Sequence, residues 1–278
     1  MTEAQGTNEW SPAGGPLGEL TRASEARALR SRARLAELER AASDARPAPA
    51  FAAGLRGAHV RVIAEIKRRS PSKGRINDDL EAGARGQAYE AGGAAALSVL
   101  TEPERFGGTL ADLSAARAAV RIPLLRKDFL TDESQLLEAR VHGASAVLLI
   151  ARALAPARLA ALAAEARALA LECLIEVRDE RELERAVREP GAVIGVNNRD
   201  LETLLIDAAV GDRLLPQVPA DRVAVYESGV QGVLDVERAA SVGADAVLVG
   251  SVLSAHGAAA AATAAVRALA AVPRRPRG

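Results

Sequence analysis

Eight short apolar runs, each followed by a segment of helical spacing, constrain this chain more than any other feature. The runs are VIAEI (62–66), AALSVL (95–100), IPLLR (122–126), SAVLLI (145–150), ECLIEV (172–177), AVIGV (192–196), RVAVY (222–226) and DAVLV (245–249). Between them lie segments such as DDLEAGARGQAYEAG and APARLAALAAEARALA, with apolar residues three and four apart, the period of an amphipathic helix. Strands alternating with helices build βαβ units and a parallel sheet. Near-continuous apolar strands belong to a sheet covered on both faces. HGASAVLLI (142–150) and VGADAVLVG (242–250) nearly superimpose and sit four units apart. Eight units with such an echo predict an α/β chain forming a single (β/α)8 TIM barrel. An open dinucleotide-binding sheet lacks its G-x-G-x-x-G signature here.

Residues 1–19 are rich in Gly, Pro, Ser and Thr without periodicity, which predicts a mobile lead-in. Over residues 20–43, Leu20, Ala28, Leu35, Leu38 and Ala42 fall near one stripe among charges, predicting an amphipathic N-terminal extension helix that belongs with the barrel in one unit, 20–278. ARPAPA (45–50) ends that helix, because proline cannot continue the ladder. With 36 basic against 36 acidic residues the chain has no positive field for nucleic acid. No run reaches the ~18 apolar residues of a membrane span, and the N-terminus lacks a basic and an apolar leader region. The lone Cys173 rules out a disulfide framework and fits a reducing, cytoplasmic setting; at a strand start it reads as a small buried apolar group. His59, His142 and His256 lie too far apart for a metal site or a triad, and PRRPRG (273–278) reads as a solvated end.

Barrels of this kind carry function at the C-terminal ends of their strands. Those ends hold Glu65 and Lys67, then Lys127, Asp128 and Phe129, then Glu176, Asn197 to Arg199, Glu227 to Gly229, and Gly250 with Ser251. Arginine is the default cation, 33 against 3 lysines, yet all three lysines (Lys67, Lys73 and Lys127) sit at the tops of the first and third strands. Alternation sends Glu65 and Lys67 to one side of their strand. An ammonium, unlike a guanidinium, can exchange its proton when buried among charges. Two lysines and several carboxylates in one mouth form an acid–base cluster. Ser-Gly and Gly-Ser after the seventh and eighth strands, with the Ser70–Gly74 loop nearby, offer small residues and backbone N–H groups to a phosphate.

EIKRRSPSKG, LLRKDF, GVNNRDL and ESGV, in this order and at these strands, closely resemble the indole-3-glycerol phosphate synthase family of tryptophan biosynthesis. The resemblance runs from about Phe51 to Leu253 and includes the helix before it. It implies a carbon–carbon lyase that needs no metal or cofactor. The reaction would close the ring of 1-(2-carboxyphenylamino)-1-deoxyribulose 5-phosphate with loss of CO2 and water. By that resemblance Lys127 would be the general acid and Glu176 the general base. Lys67 would engage the carboxylate side, tuned by Glu65. Asn197 and Glu227 would hold sugar hydroxyls and the acid–base network, with Arg199 as their partner. Ser70, Ser228, Gly229, Gly250 and Ser251 would bind phosphate, and Phe106, Phe129 and Leu148 would pack the aromatic ring. Departures from the usual pattern are Ser134, Ser145, Arg178, Leu204 and the run VGSVLSAH around Ser251. The alternatives are a phosphoribosylanthranilate isomerase-like barrel and a non-catalytic scaffold. The first needs a Cys/Asp pair, whereas Cys173 lies at the wrong end of its strand, and the second has no use for the lysine–glutamate set. The expected partner is a phosphorylated small molecule, the expected assembly a monomer or weak homo-oligomer.

Overall fold

A computed structural model describes residues 10–277. Its centre is a closed parallel barrel of eight strands: β1 (Arg61–Ile66), β2 (Ala96–Leu100), β3 (Leu124–Lys127), β4 (Ala146–Ile150), β5 (Glu172–Val177), β6 (Val193–Asn197), β7 (Ala224–Glu227) and β8 (Ala246–Val249). Each strand pairs with the next, and β8 closes on β1 with Ala64 beside Val249. Every apolar run expected to be a strand is one, with ends moved by one or two residues. Beyond that set, a two-stranded ribbon, Arg69–Ser70 against Gly74–Arg75, folds the loop after β1 back on itself.

Alternation along each strand splits the core into two shells. On β4, Ala146, Leu148 and Ile150 belong to the apolar cluster inside the barrel. Val147 and Leu149 belong to the shell between strands and helices. The same parity places Ile63 and Glu65, Leu125 and Lys127, Leu174 and Glu176, and Val225 and Glu227 on the inner face. Aliphatic side chains thus fill the lower layers, and the next inward position, at the C-terminal end, carries charge. Cys173, of opposite parity, packs outward among aliphatic neighbours.

The N-terminal extension differs from the single helix over 20–43 that the stripe suggests. Helix α1 spans Gly15–Arg32 and α2 spans Leu35–Asp44. Pro16 sits in the first turn of α1, where a missing N–H costs nothing. The expected boundary at residue 19 therefore falls inside α1: Leu17 is 1% exposed. The remainder of that lead-in, residues 1–9, lies outside the described residues. The chain bends at Ala33–Arg34, with no glycine or proline to announce it, so that Leu38 and Ala42 of α2 can pack on Leu137. Leu17 and Leu20 cover the barrel interior from above, and Phe51 and Leu55 plug it from below. Glu172, at the start of β5, seats that plug by accepting the N–H groups of Phe51 and Ala52 at 2.5 and 2.9 Å.

The arginine-rich end is not a solvated tail. Arg274 and Arg277 donate to Asp245, just before β8, at 2.6 and 2.8 Å, and the Arg277 side chain is buried. Two cations converging on one buried carboxylate draw the terminus onto the barrel floor, which a count of charges along the chain does not reveal.

Candidate active site

At the C-terminal ends of the strands a cavity of about 1100 Å³, open mouth included, is lined by the residues expected there from the strand ends and motifs, apart from Asn198 and Gly74. Register explains the convergence. Asn197 on β6 stands beside Glu227 on β7, and Glu176 on β5 beside Gly195 on β6, so the inward groups share one level.

Two lysine–carboxylate clusters face each other. Lys67 Nζ lies 2.7 Å from Glu65 Oε1, as expected from their spacing on β1. Lys127 Nζ lies 3.2 Å from Glu176 Oε2 and 3.5 Å from Glu227 Oε2. Burial alone lowers the pKa of Lys127, but the charges of Glu176, Glu227 and Glu65 outweigh it and hold the ammonium form above the ordinary lysine range. Burial pushes the Glu227 carboxyl up to about 8; Lys127 opposes this, whereas Glu176 and Glu65 add to it. Oε1 of Glu227 is buried with no hydrogen-bond partner among the described residues. A carboxyl left in that state is available to a ligand hydroxyl.

Two glycines make room for these carboxylates. A Cβ on Gly195 would stand 2.1 Å from Glu227 Oε1, and one on Gly250 would stand 2.1 Å from Glu65 Oε1 and 2.8 Å from Lys67 Nζ. Gly250 therefore has a steric task besides its place beside the phosphate loops. Nearby, Ser228 and Gly229 both have positive φ, 64° and 89°. For serine that is a strained conformation, of the kind retained at ligand sites.

Around the charges the wall is apolar. Phe106 and Phe129 meet with ring centroids 6.2 Å apart, and Leu20, Leu148 and Ile150 complete that side. Asn197 Oδ1 accepts the Arg199 N–H at 2.9 Å, and Arg199 Nη1 donates to the Leu204 carbonyl at 2.8 Å, fixing the loop that carries Leu204 and Ile206 over the mouth. Burial lowers the pKa of Arg199, with Glu65 pulling the other way. Lys73, on the ribbon loop, lines the opening but is exposed.

Sequence reasoning missed several contributors. Ile150 is two residues beyond Leu148 and was available from alternation. Leu20 belongs to the extension that the resemblance sets over the mouth, but only the structure singles it out as a lining residue. Asn198 is 0% exposed and donates to the carbonyls of Glu227 and Ser228 at 2.8 and 3.2 Å while accepting the Gly211 N–H at 2.8 Å; no local pattern announces that tie between strand ends. Of the departures, Ser134 is absorbed locally, its hydroxyl donating to Asp132 Oδ1 at 2.6 Å. Ser145 accepts the Leu124 N–H at 3.2 Å. Cys173 is buried, and burial pushes its thiol up to about 12, an inert group rather than the acid–base partner an isomerase needs. Among the described residues no cluster of His, Cys, Asp or Glu is arranged to hold a metal.

A closed (β/α)8 barrel with buried lysines and carboxylates at the C-terminal strand ends, beside Ser/Gly loops, defines an acid–base barrel enzyme. The model of the family described as indole-3-glycerol phosphate synthase matches residues 20–268, and the chain belongs to that family, a group of carboxy-lyases. It is 52% identical over 227 residues to indole-3-glycerol phosphate synthase 2 of Streptomyces coelicolor, covering 82% of this chain and 87% of that protein. Identity is 48% over 224 residues to the indole-3-glycerol phosphate synthase of Paenarthrobacter aurescens, covering 79% and 82%. Among solved structures a mandelate oxidase mutant aligns with a TM-score of 0.58 at 16% identity, covering 84% of this chain and 91% of that one; at that identity the likeness shows the fold alone.

Proposed function

We propose that this chain closes the indole ring of 1-(2-carboxyphenylamino)-1-deoxyribulose 5-phosphate, releasing CO2 and water to give indole-3-glycerol phosphate. The observation that carries this is the position of Lys127, an ammonium held charged between Glu176 and Glu227 at the mouth of a barrel of this family. In that position it donates to the substrate ketone oxygen, making C2 electrophilic toward the aromatic ring. Lys67, neutralised by Glu65, meets the substrate carboxylate, and the apolar wall of Phe106, Phe129 and Leu148 favours its departure as neutral CO2. Reprotonated from solvent at the open mouth, Lys127 then protonates the departing hydroxyl, which leaves as water, while Glu176 takes the proton from the adjacent ring carbon. Asn197 and the unpartnered oxygen of Glu227 hold the sugar hydroxyls, and Arg199 orients Asn197. Ser228, Gly229, Gly250, Ser251 and Ser70, all lining the cavity, receive the phosphate.

The family reading supports a phosphorylated small-molecule partner. No described helix is long and apolar enough to cross a membrane. We place the protein in the cytoplasm, where Cys173 stays reduced, as a monomer or weak homo-oligomer; its balanced charge speaks against a nucleic-acid role. Incubating the purified chain with synthetic substrate and following indole fluorescence tests the proposal. Product formation is the expected result, and no product at any pH overturns it.

A further inference from the structure

Helix α1 sends Arg27 toward the strand ends. The guanidinium of Arg27 stands between two carboxylates from neighbouring strand ends, its Nη2 donating to Asp128 Oδ1 at 2.7 Å and its Nη1 lying 3.7 Å from Glu102 Oε1. Both carboxylates are buried, Glu102 at 0% and Asp128 at 2% exposure. Each one also holds backbone beside the cavity. Glu102, just past β2, accepts the N–H groups of Glu104, Arg105 and Phe106 at 3.0, 2.8 and 3.0 Å. Asp128, directly after Lys127, accepts the Phe129 N–H at 2.8 Å, and its other oxygen takes the Thr101 hydroxyl at 2.8 Å and Arg126 Nη2 at 3.4 Å. The two rings of the aromatic wall therefore hang from the two carboxylates that Arg27 joins.

The charges are unequal in their alternatives. Asp128 keeps Arg126 if Arg27 is removed. Glu102 has Arg27 as its only ion-pair partner among the described residues. A buried carboxylate stripped of its counter-charge is strongly disfavoured, and the local structure shifts to relieve it. Here the segment free to shift is the one that carries Phe106.

We propose that Arg27 is a positioning residue for the reaction: by neutralising Glu102 and Asp128 together it fixes the Phe106–Phe129 wall and the backbone that presents Lys127. This rests on the assignment of the mouth made above. A guanidinium fork spans two carboxylates, whereas an ammonium is a point charge and serves one. The same helix and loop share a second link, Arg105 to Glu19 at 2.8 Å, but both side chains are more than half exposed, and such pairs contribute little. That pair is the internal control.

The test compares the full-length wild type with Arg27→Gln, Arg27→Lys and Arg105→Gln by steady-state kinetics and amide hydrogen exchange. Arg27→Gln is expected to lower kcat/KM on the order of 10–10²-fold, the scale of a small misplacement at the reacting centre. KM rises as kcat falls, because the ring wall and Lys127 move together, whereas mere loss of folded protein lowers apparent kcat at constant KM. Exchange at the amides of 104–106 accelerates, Arg27→Lys is intermediate, and Arg105→Gln stays within about twofold of wild type. Wild-type kcat/KM in Arg27→Gln overturns the proposal. So do equal losses in Arg27→Gln and Arg105→Gln, which trace the effect to helix attachment. If Arg27→Gln does not fold, Arg27→Lys decides, with full activity and unchanged exchange counting against the proposal. An inactive wild type defeats the functional assignment instead, and unchanged exchange at 104–106 then still refutes the role given to Arg27.

Discussion

The two ends of this barrel bury charge in opposite ways. At the N-terminal end both the buried carboxylate of Asp245 and the half-buried one of Glu172 are answered. Asp245 accepts from Arg274, Arg277 and the Ala224 N–H, all within 2.9 Å, and Glu172 accepts the two N–H groups that seat the Phe51 plug. At the C-terminal end Lys127 is shared by two carboxylates at longer distance, and one oxygen of Glu227 has no hydrogen-bond partner among the described residues. Satisfied groups stabilise; an unsatisfied, protonation-sensitive group is a cost retained where chemistry uses it. One end closes the barrel and the other keeps it reactive.

The largest expected effect breaks the reactive end without touching charge. Lys127→Arg keeps the cation, but a guanidinium neither surrenders its proton nor fits the ammonium's place. Its kcat should fall roughly 10²–10⁴-fold, the scale of general acid catalysis, with an unchanged unfolding midpoint. Near wild-type kcat would make Lys127 a fixed charge and move the general acid to Lys67. Asp245→Ala addresses the closed end. Leaving the buried Arg277 unanswered should destabilise by about 3–5 kcal/mol, the range for a broken buried pair, read as a lower Tm with kcat per folded molecule intact. A kcat loss there would deny that the two ends are separable.

Ser251→Asp sets like charge against the substrate phosphate. KM should rise roughly tenfold or more, and unchanged KM would remove the β7 and β8 loops from phosphate binding. The last test concerns pH. The carboxyl of Glu227 is raised by burial and by Glu176 and Glu65, against Lys127, to about 8. The folded state therefore holds a proton that the unfolded chain releases near pH ~4.3. Its contribution to stability is full below that value and declines as pH rises toward about 8. Lys127, held above its ordinary range, contributes no slope in that window. Glu227→Gln should flatten the fall of Tm between those pH values. An identical slope in both proteins would place the proton elsewhere.

The sharpest contrast between what was legible and what was not lies within the N-terminal extension. Its apolar stripe marked Leu20, Ala28, Leu35, Leu38 and Ala42 for burial; four are buried, whereas Leu35, at the start of α2, is exposed. The bend at Ala33–Arg34 carried no signal, because it arises from the separate docking of α1 over the mouth and α2 on Leu137. Arg27 looked like one arginine among many, and only its inward reach to Glu102 and Asp128 sets it apart. Arg277 was misplaced for the same reason: charge along a chain does not say which carboxylate will meet it.

Periodicity by itself determined the eight strands, the alternation that sends Glu65, Lys127, Glu176 and Glu227 inward, and the lysines at the rim, because those follow from spacing along single elements. Closure, the shared level of the strand ends, the room left by Gly195 and Gly250, and the pairing of Arg27, Arg274 and Arg277 were decided only in three dimensions. Distances between strand ends depend on register and shear, and the partner of a buried charge depends on which distant segment packs beside it, so neither is written in any local stretch of the chain.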